Sequence, residues 1–287
     1  MGRDPGGRMS GHAAELSRGE RFGFGANWKR FLALVDEDRI ARARTSLSAS
    51  LAAPDLNGKR FLDAGCGSGL FSLAALRLGA TVVSFDYDPA SVACAEELRR
   101  RFAGEGSGWT IREGSVLDES FLAALGTFDI VYSWGVLHHT GALWTAVDLA
   151  AGRVGPGGSL VIAIYNDQGP VSRRWLAVKT AYNRLPRALR FLVVVPSFAV
   201  LWGPRFAIET LRLHPGRAWR EYATTSRGMS PWRDVVDWVG GLPFEVARPD
   251  EVVAYCARRG FEPRSVTTQG RGHGCNEFVF RRARQEV

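Results

Sequence analysis

Lysine is nearly missing from this chain. Of 37 basic residues in 287 positions, 34 are arginine and only Lys29, Lys59 and Lys179 are lysine. The net charge of +8 therefore reflects an arginine skew, which coding bias can produce, and does not by itself indicate a nucleic-acid surface. The excess is also confined: residues 168–248 hold 13 Arg or Lys against 5 Asp or Glu, and the rest of the chain holds 24 against 24. Cysteine is sparse. Cys66, Cys94, Cys256 and Cys275 lie far apart with no CxxC pair, which argues against a zinc ribbon or a disulfide scaffold and for reduced thiols in a cytoplasmic protein. Long apolar runs are lacking too. The longest, Phe191 to Trp202, is broken by Pro196 and falls short of the roughly 20 residues a bilayer requires, so no stable membrane insertion is expected. The N-terminus has no apolar signal core, which argues against export, and there is no internal repeat. What remains is 46% apolar and 23% charged, an ordinary globular balance that excludes wholesale disorder.

Residues 1–20 are Gly-rich and polar and read as a mobile tail. Residues 21–57 read as an N-terminal helical lid, with one helix over 27–53 striped by Phe31, Leu34, Val35, Ile40 and Leu47. Strands are predicted at 59–64, 81–86, 109–113, 128–134 and 159–165, with helices at 68–78, 89–102, 119–125 and 141–152 between them. This is a βαβ rhythm, hence a parallel sheet, over a core of 58–167. Gly155-Pro156-Gly157-Gly158 reads as the turn that ends the helix before the last of these strands. Residues 168–248 lose the rhythm, hold five of the nine Trp, and read as a helical substrate cap. Residues 249–287 resume it with a helix at 249–259, opened by Pro249-Asp250-Glu251, and a hairpin of strands near 261–268 and 275–281.

The chemistry centres on Phe61-Leu62-Asp63-Ala64-Gly65-Cys66-Gly67-Ser68-Gly69, between the first strand and its helix. Glycines there let the backbone turn sharply and approach a ligand. The spacing is G-x-G-x-G, since position 70 is Leu, and Asp63 stands two residues before the first Gly. A strand-end acid suits a ligand with a cationic group better than it suits a pyrophosphate. Asp86, about twenty residues on at the end of the second strand, stands where a carboxylate accepts hydrogen bonds from ribose hydroxyls, although it could instead cap the helix that opens at Pro89.

FLDAGCGSG, SFDYDP, GSVLD, FDIVYSWGVLHH and GPGGSLVIAIYND together resemble the class I S-adenosylmethionine-dependent methyltransferases, over about 55–167 and 249–282. The resemblance implies a Rossmann-like α/β fold with a seven-stranded sheet ordered 3-2-1-4-5-7-6. It implies S-adenosylmethionine as cofactor, released as S-adenosylhomocysteine. Asp63, Gly65 and Gly67 would then face the methionine part, Asp86 the ribose, and Ser115 and Val116 the adenine, with Cys66, Gly69, Tyr87 and Trp134 completing the cleft. Many relatives carry an acid where Ser115 stands, which leaves adenine recognition here to main chain. Ubiquinone-type small-molecule O-methyltransferases look most similar, and RFGFGANWKRFL and GCNEFVFRR also resemble a bacterial subgroup.

His138 and His139 follow the fourth strand, whose C-terminal end should face the ligand crevice. Either could take a proton from an alcohol near neutral pH. In sugar O-methyltransferases of similar sequence such a pair works with an acid after strand five, a position Asp167 matches; one His could equally cap a helix or pack under the cofactor. Trp28, Asn166, Arg227 and Trp232 are candidate acceptor contacts. Phe22, Phe24, Trp175, Tyr182 and Trp238 could line an aromatic cavity or simply pack the cap. His273, Cys275 and Asn276, where the last strand begins, read as structural. No (D/N/S)-P-P-(Y/F) follows strand four and no metal-binding carboxylate set is visible. The expectation is metal-independent, His-assisted methyl transfer to a hydroxyl of a sugar, quinone-like or secondary metabolite by a cytoplasmic protein that is either a monomer or a homodimer. The alternatives are RNA or protein modification through the basic cap, N-methylation of an amine, a non-catalytic module, or a lipid-like acceptor, with Arg184, Arg187 and Arg190 beside Phe191–Leu201 resting on a membrane surface, although packing in the cap core explains that run more simply.

Overall fold

The computed structural model describes residues 11–225, 231–270 and 272–283. In chain order the elements are α1 (Gly11–Arg18), α2 (Gly25–Leu32), α3 (Glu37–Leu51), β1 (Arg60–Ala64), α4 (Leu70–Arg77), β2 (Thr81–Asp86), α5 (Pro89–Phe102), β3 (Trp109–Glu113), α6 (Glu119–Leu125), β4 (Phe128–Trp134), a 3-10 turn (Leu137–His139), α7 (Leu143–Ala151) and β5 (Val154–Tyr165). There follow α8 (Pro170–Arg184), α9 (Phe191–Leu211), α10 (Arg217–Thr225), α11 (Pro231–Gly240), α12 (Pro249–Ala257), β6 (Phe261–Thr267) and β7 (Cys275–Arg282). The chain divides into two compact units. One is Phe24–Gln168 with the described residues from Phe244 on; the other is Gly169–Pro243 with the described residues before Phe24.

The first unit is built on one sheet in the expected order, β3-β2-β1-β4-β5-β7-β6. Strands β1 to β5 pair in parallel, and β7 runs antiparallel to both β5 and β6. The core lies where Val131, Leu160, Ile162 and Ile164 of the central strands meet Ala146, Val147 and Ala150 of α7 and Phe278 and Phe280 of β7. Helix starts follow local chemistry. Asp88 accepts the Ala90 N–H with Pro89 in the first turn of α5, and Asp118 accepts the Phe121 N–H of α6. Glu251 reaches back to the Arg248 N–H at α12.

Several sequence readings are corrected. The supposed tail contains α1, whose His12 is buried; residues 1–10 lie outside the described residues. The helix expected over 27–53 is two helices, because the Asp36 carboxylate accepts the Arg39 N–H and starts α3 afresh. Neither belongs to a separate lid: α2 packs on α5 and α3 on α4, within the sheet unit. The GPGG cluster does not end a helix. It is part of β5, where the register jumps from Phe128 opposite Val154 to Ile130 opposite Ser159, so the extra glycine-rich residues bulge out of the strand.

The second unit is helical. Its core is aromatic, with Phe198, Trp202 and Phe206 of α9 stacked among Trp219 and Trp232, and Trp175 edge-on to Trp238. Lys179 is wholly buried; its ammonium donates to the Trp238 carbonyl and lies 4.4 Å from the centre of that indole. Pro196 does not break α9. Both Pro196 and Pro204 lie inside one helix of 21 residues, long and apolar enough by length and composition to cross a membrane. The expectation that the apolar run ends at its proline is thus overturned. A proline inside a helix removes a hydrogen bond and bends it without necessarily stopping it.

Candidate active site

Tight turns bring four strand ends of the sheet unit together. After β1 the backbone passes through Gly65, with φ 83°, and Gly67, with φ 54°, a region in which side chains with a Cβ are strained. Space demands glycine as well: a Cβ on Gly65 would stand 2.4 Å from Val136, and one on Gly67 2.9 Å from the Trp28 indole. Gly65 and Cys66 both donate their N–H to the Phe85 carbonyl, which pins the loop to β2.

The carboxylate of Asp86 lies beside this loop and accepts the N–H of Gly67 at 2.9 Å and of Asp88 at 2.9 Å. Capping of α5 falls to Asp88 instead. A second oxygen of Asp88 accepts the Gly25 N–H, tying the start of α2 to the start of α5. Asp63 is buried under the loop and accepts the Ser72 hydroxyl at 2.6 Å. Loss of hydration pushes Asp63 up to about 7, with the nearby Asp86 adding to the shift, and Asp86 up to about 6 for the same first reason. Burial likewise raises the Cys66 thiol well above its usual range, so it is no nucleophile.

At the ends of β4 and β5, the 3-10 turn sets two imidazoles 4.5 Å apart. His138 is fully buried. Its Nδ1 accepts the Tyr165 N–H, its ring stacks 3.8 Å from that of Tyr165, and its carbonyl accepts the Glu245 N–H. A neutral ring accepting at Nδ1 carries its proton on Nε2 and has no second basic nitrogen. His139 is 8% exposed, with Phe24 at 5.1 Å and Tyr165 edge-on at 5.2 Å. The Asp167 N–H donates to the Ala247 carbonyl.

Comparison with known proteins decides the family: a model described as a methyltransferase domain matches residues 35–222. The chain belongs to that methyltransferase family. A ubiquinone biosynthesis O-methyltransferase of Methylocella silvestris is 31% identical over 150 residues, 52% of this chain and 50% of that protein. One from Cereibacter sphaeroides is 29% identical over 171 residues, 60% and 59%. The chain thus spans between half and three-fifths of these relatives. An O-methyltransferase family protein from Burkholderia thailandensis has a similar fold, with a TM-score of 0.53 at 15% identity, over 95% of this chain and 68% of the other.

The structure gives the remaining candidate residues the following surroundings. Val116 is buried in the sheet core, and the Ser115 hydroxyl accepts the Leu117 N–H of its own turn while keeping its own O–H as a donor. Trp28 lies on the Gly67 loop, on the cofactor side of the candidate site. Trp232 packs on Phe198 in the helical unit, and Trp175 and Tyr182 are buried there as ordinary core. Arg227 lies outside the described residues. Gly69 lets α4 start beside Ala95 and Trp109; Trp134 ends β4 opposite Ala163; Tyr87 sits half-buried after Asp86. Tyr165, Phe244, whose ring lies 5.4 Å from that of Tyr165, and Glu245 were not among the sequence candidates. Tyr165 alone could have been found, as an aromatic residue at a strand C-terminus.

Asn166, expected as an acceptor contact, is tied into the fold. Its amide donates to the Gly270 carbonyl at 2.9 Å and its oxygen accepts from Asn276 at 3.0 Å, so it locks the glycine-rich hairpin loop to β5. Replacing it by Ala should cost about 1–3 kcal/mol of unfolding free energy, since Asn276 keeps a buried donor without its acceptor. Urea unfolding measures this; a variant of unchanged stability with a raised acceptor KM would return Asn166 to substrate binding.

The carboxylates give a pH dependence. Both pKa values are raised on folding, so the native state holds more protons than the unfolded chain between about pH 4 and 7. Their contribution therefore makes the ligand-free protein less stable as pH rises through that window. If Asp86 accepts from ribose hydroxyls in its ionised form, cofactor binding should show the reverse. Affinity for S-adenosylhomocysteine should fall roughly tenfold between pH 7 and pH 5. Thermal scans and calorimetry across this range test both; a flat affinity profile would separate Asp86 from the ligand.

Proposed function

We propose that this protein binds S-adenosylmethionine along Gly65–Gly69 and Asp86 and transfers its methyl group to a hydroxyl of a small molecule. One observation carries the cofactor assignment. Asp88 caps α5, while Asp86 is held at the end of β2 by the Gly67 N–H with lone pairs to spare for ribose hydroxyls. The residues fit the group: a loop with glycine at 65, 67 and 69, and a carboxylate beside it. When bound, S-adenosylmethionine supplies an electrophilic methyl carbon on a sulfonium.

The protein's part is to position and to remove a proton. In-line displacement needs the acceptor oxygen opposite the departing sulfur, so alignment contributes much of the rate. As the carbon–oxygen bond forms and the carbon–sulfur bond breaks, the hydroxyl proton must leave. His139 is the group proposed to take it. His138 has its acceptor nitrogen committed to Tyr165, and we assign it to orienting its neighbour through the paired rings. Asp167 is proposed to bind the acceptor or to orient His139. Trp232 and Arg227 stay proposed acceptor contacts, tested by acceptor KM in their Ala variants.

The O-methyltransferase names of the relatives support oxygen as the acceptor atom and a small molecule as its carrier. Incubation with methyl-tritiated S-adenosylmethionine and a panel of phenols, catechols, sugars and amines tests this. Label transferred to a hydroxyl acceptor is the expected result; label found only on amines would reassign the reaction.

A further inference from the structure

Helix α9 has two apolar sides and buries one. Val194, Phe198 and Trp202 face the aromatic core of the helical unit. On the other side Leu192, Val195 and Val200 are 55%, 52% and 66% exposed, and Leu211 is 83% exposed. Pro196, Ala199 and Ala207, also exposed, fill the gaps between them. At 100° per residue these positions fall on one side of the helix. Not one charged residue occurs from Phe191 to Pro204. An apolar stripe of this length in water marks an interaction surface.

The charges at its ends say what covers it. Residues 184–220 carry seven Arg and one acid, Glu209, and that acid already accepts the Ala218 N–H. Arg184, Arg187 and Arg212 are exposed, and they stand at both ends of the stripe. A second copy of the chain packed on this face would set arginines against arginines in either direction, which opposes association. An anionic lipid surface satisfies both features at once, with apolar side chains in the acyl boundary and guanidinium groups among phosphates. A span across the bilayer fits poorly, because the far side of α9 is needed for the core that includes Trp219 and Trp232.

We propose that α9 lies flat on an anionic bilayer, holding the protein there through its Leu192–Val195–Val200–Leu211 face and the arginines at its ends. This docking is independent of methyl transfer, since it needs neither cofactor nor acceptor.

The test is flotation of the purified chain with vesicles of phosphatidylcholine alone or mixed with phosphatidylglycerol, at low and high ionic strength. Binding to the mixed vesicles should be about tenfold stronger than to neutral ones and should weaken with salt. The triple variant Leu192→Glu/Val195→Glu/Val200→Glu should lose it. Because those side chains are exposed, its circular dichroism and thermal midpoint should match the parent; if it does not fold, Val200→Glu alone and Arg187→Glu/Arg212→Glu take its place and should each weaken flotation. Four results overturn the proposal: no flotation of the parent chain, equal binding to neutral vesicles, binding that survives the substitutions, or a dimer in sedimentation that the substitutions dissociate while vesicles bind neither form.

Discussion

Replacing His139 by Ala should lower kcat about 10²–10⁴-fold, the usual share of a general base, while the Kd for S-adenosylhomocysteine stays within about twofold. The asymmetry follows from the site. His139 sits at the end of β4 beside Phe24 and Tyr165, whereas the proposed cofactor contacts lie on β1, β2 and the loop between β1 and α4. His138→Ala should act differently. That ring is buried, stacked on Tyr165 and bonded to its N–H, so its loss should lower stability as well as rate. A pH profile distinguishes a base from a packing residue: the acidic limb of kcat should vanish in His139→Ala and persist in His138→Ala. If the double variant turned over a hydroxyl acceptor at near-parent rates, alignment alone would account for catalysis.

Asp86→Ala should weaken S-adenosylhomocysteine binding by about 1.5–3 kcal/mol, roughly 10–150-fold, the range for a hydrogen bond to a charged group. The substitution also removes the acceptor of the Gly67 N–H, so the loop should loosen. Asp86→Asn keeps an acceptor there and should recover part of the affinity. Asp88→Ala is the contrasting case: it removes the α5 cap and the tie to Gly25. It should cost about 1 kcal/mol of stability with little change in affinity. Calorimetry and thermal melting on the three variants check the pattern.

Much of this was legible beforehand because local rules governed it. Strands β2, β3 and β4 and helices α5 and α6 lie where the alternating strand and helix pattern placed them. The sheet order was not read from local pattern; it came with the resemblance of the Gly loop and the strand ends, and it holds. The misses have two causes, a local cap left unread and tertiary contacts that override local signals. The loss of helix between Leu32 and Glu37 turned on a single carboxylate, Asp36, inside an otherwise periodic stretch. Pro196 is tolerated because the helix around it is anchored by Phe198 and Trp202. Asn166 looked like a substrate ligand because it follows a strand end, but its partners come from a loop a hundred residues later. His138 and His139 are told apart by the hydrogen bond from the Tyr165 N–H, a contact that strand pattern alone does not specify.

The most direct test of the cofactor site is hydrogen exchange on the ligand-free protein with and without S-adenosylhomocysteine. Protection should appear at Gly65–Leu70 and at Asp86–Asp88, and be absent from the hairpin loop between β6 and β7. Protection confined to other segments, or none at saturating ligand, would contradict the assignment of this cleft and the function built on it.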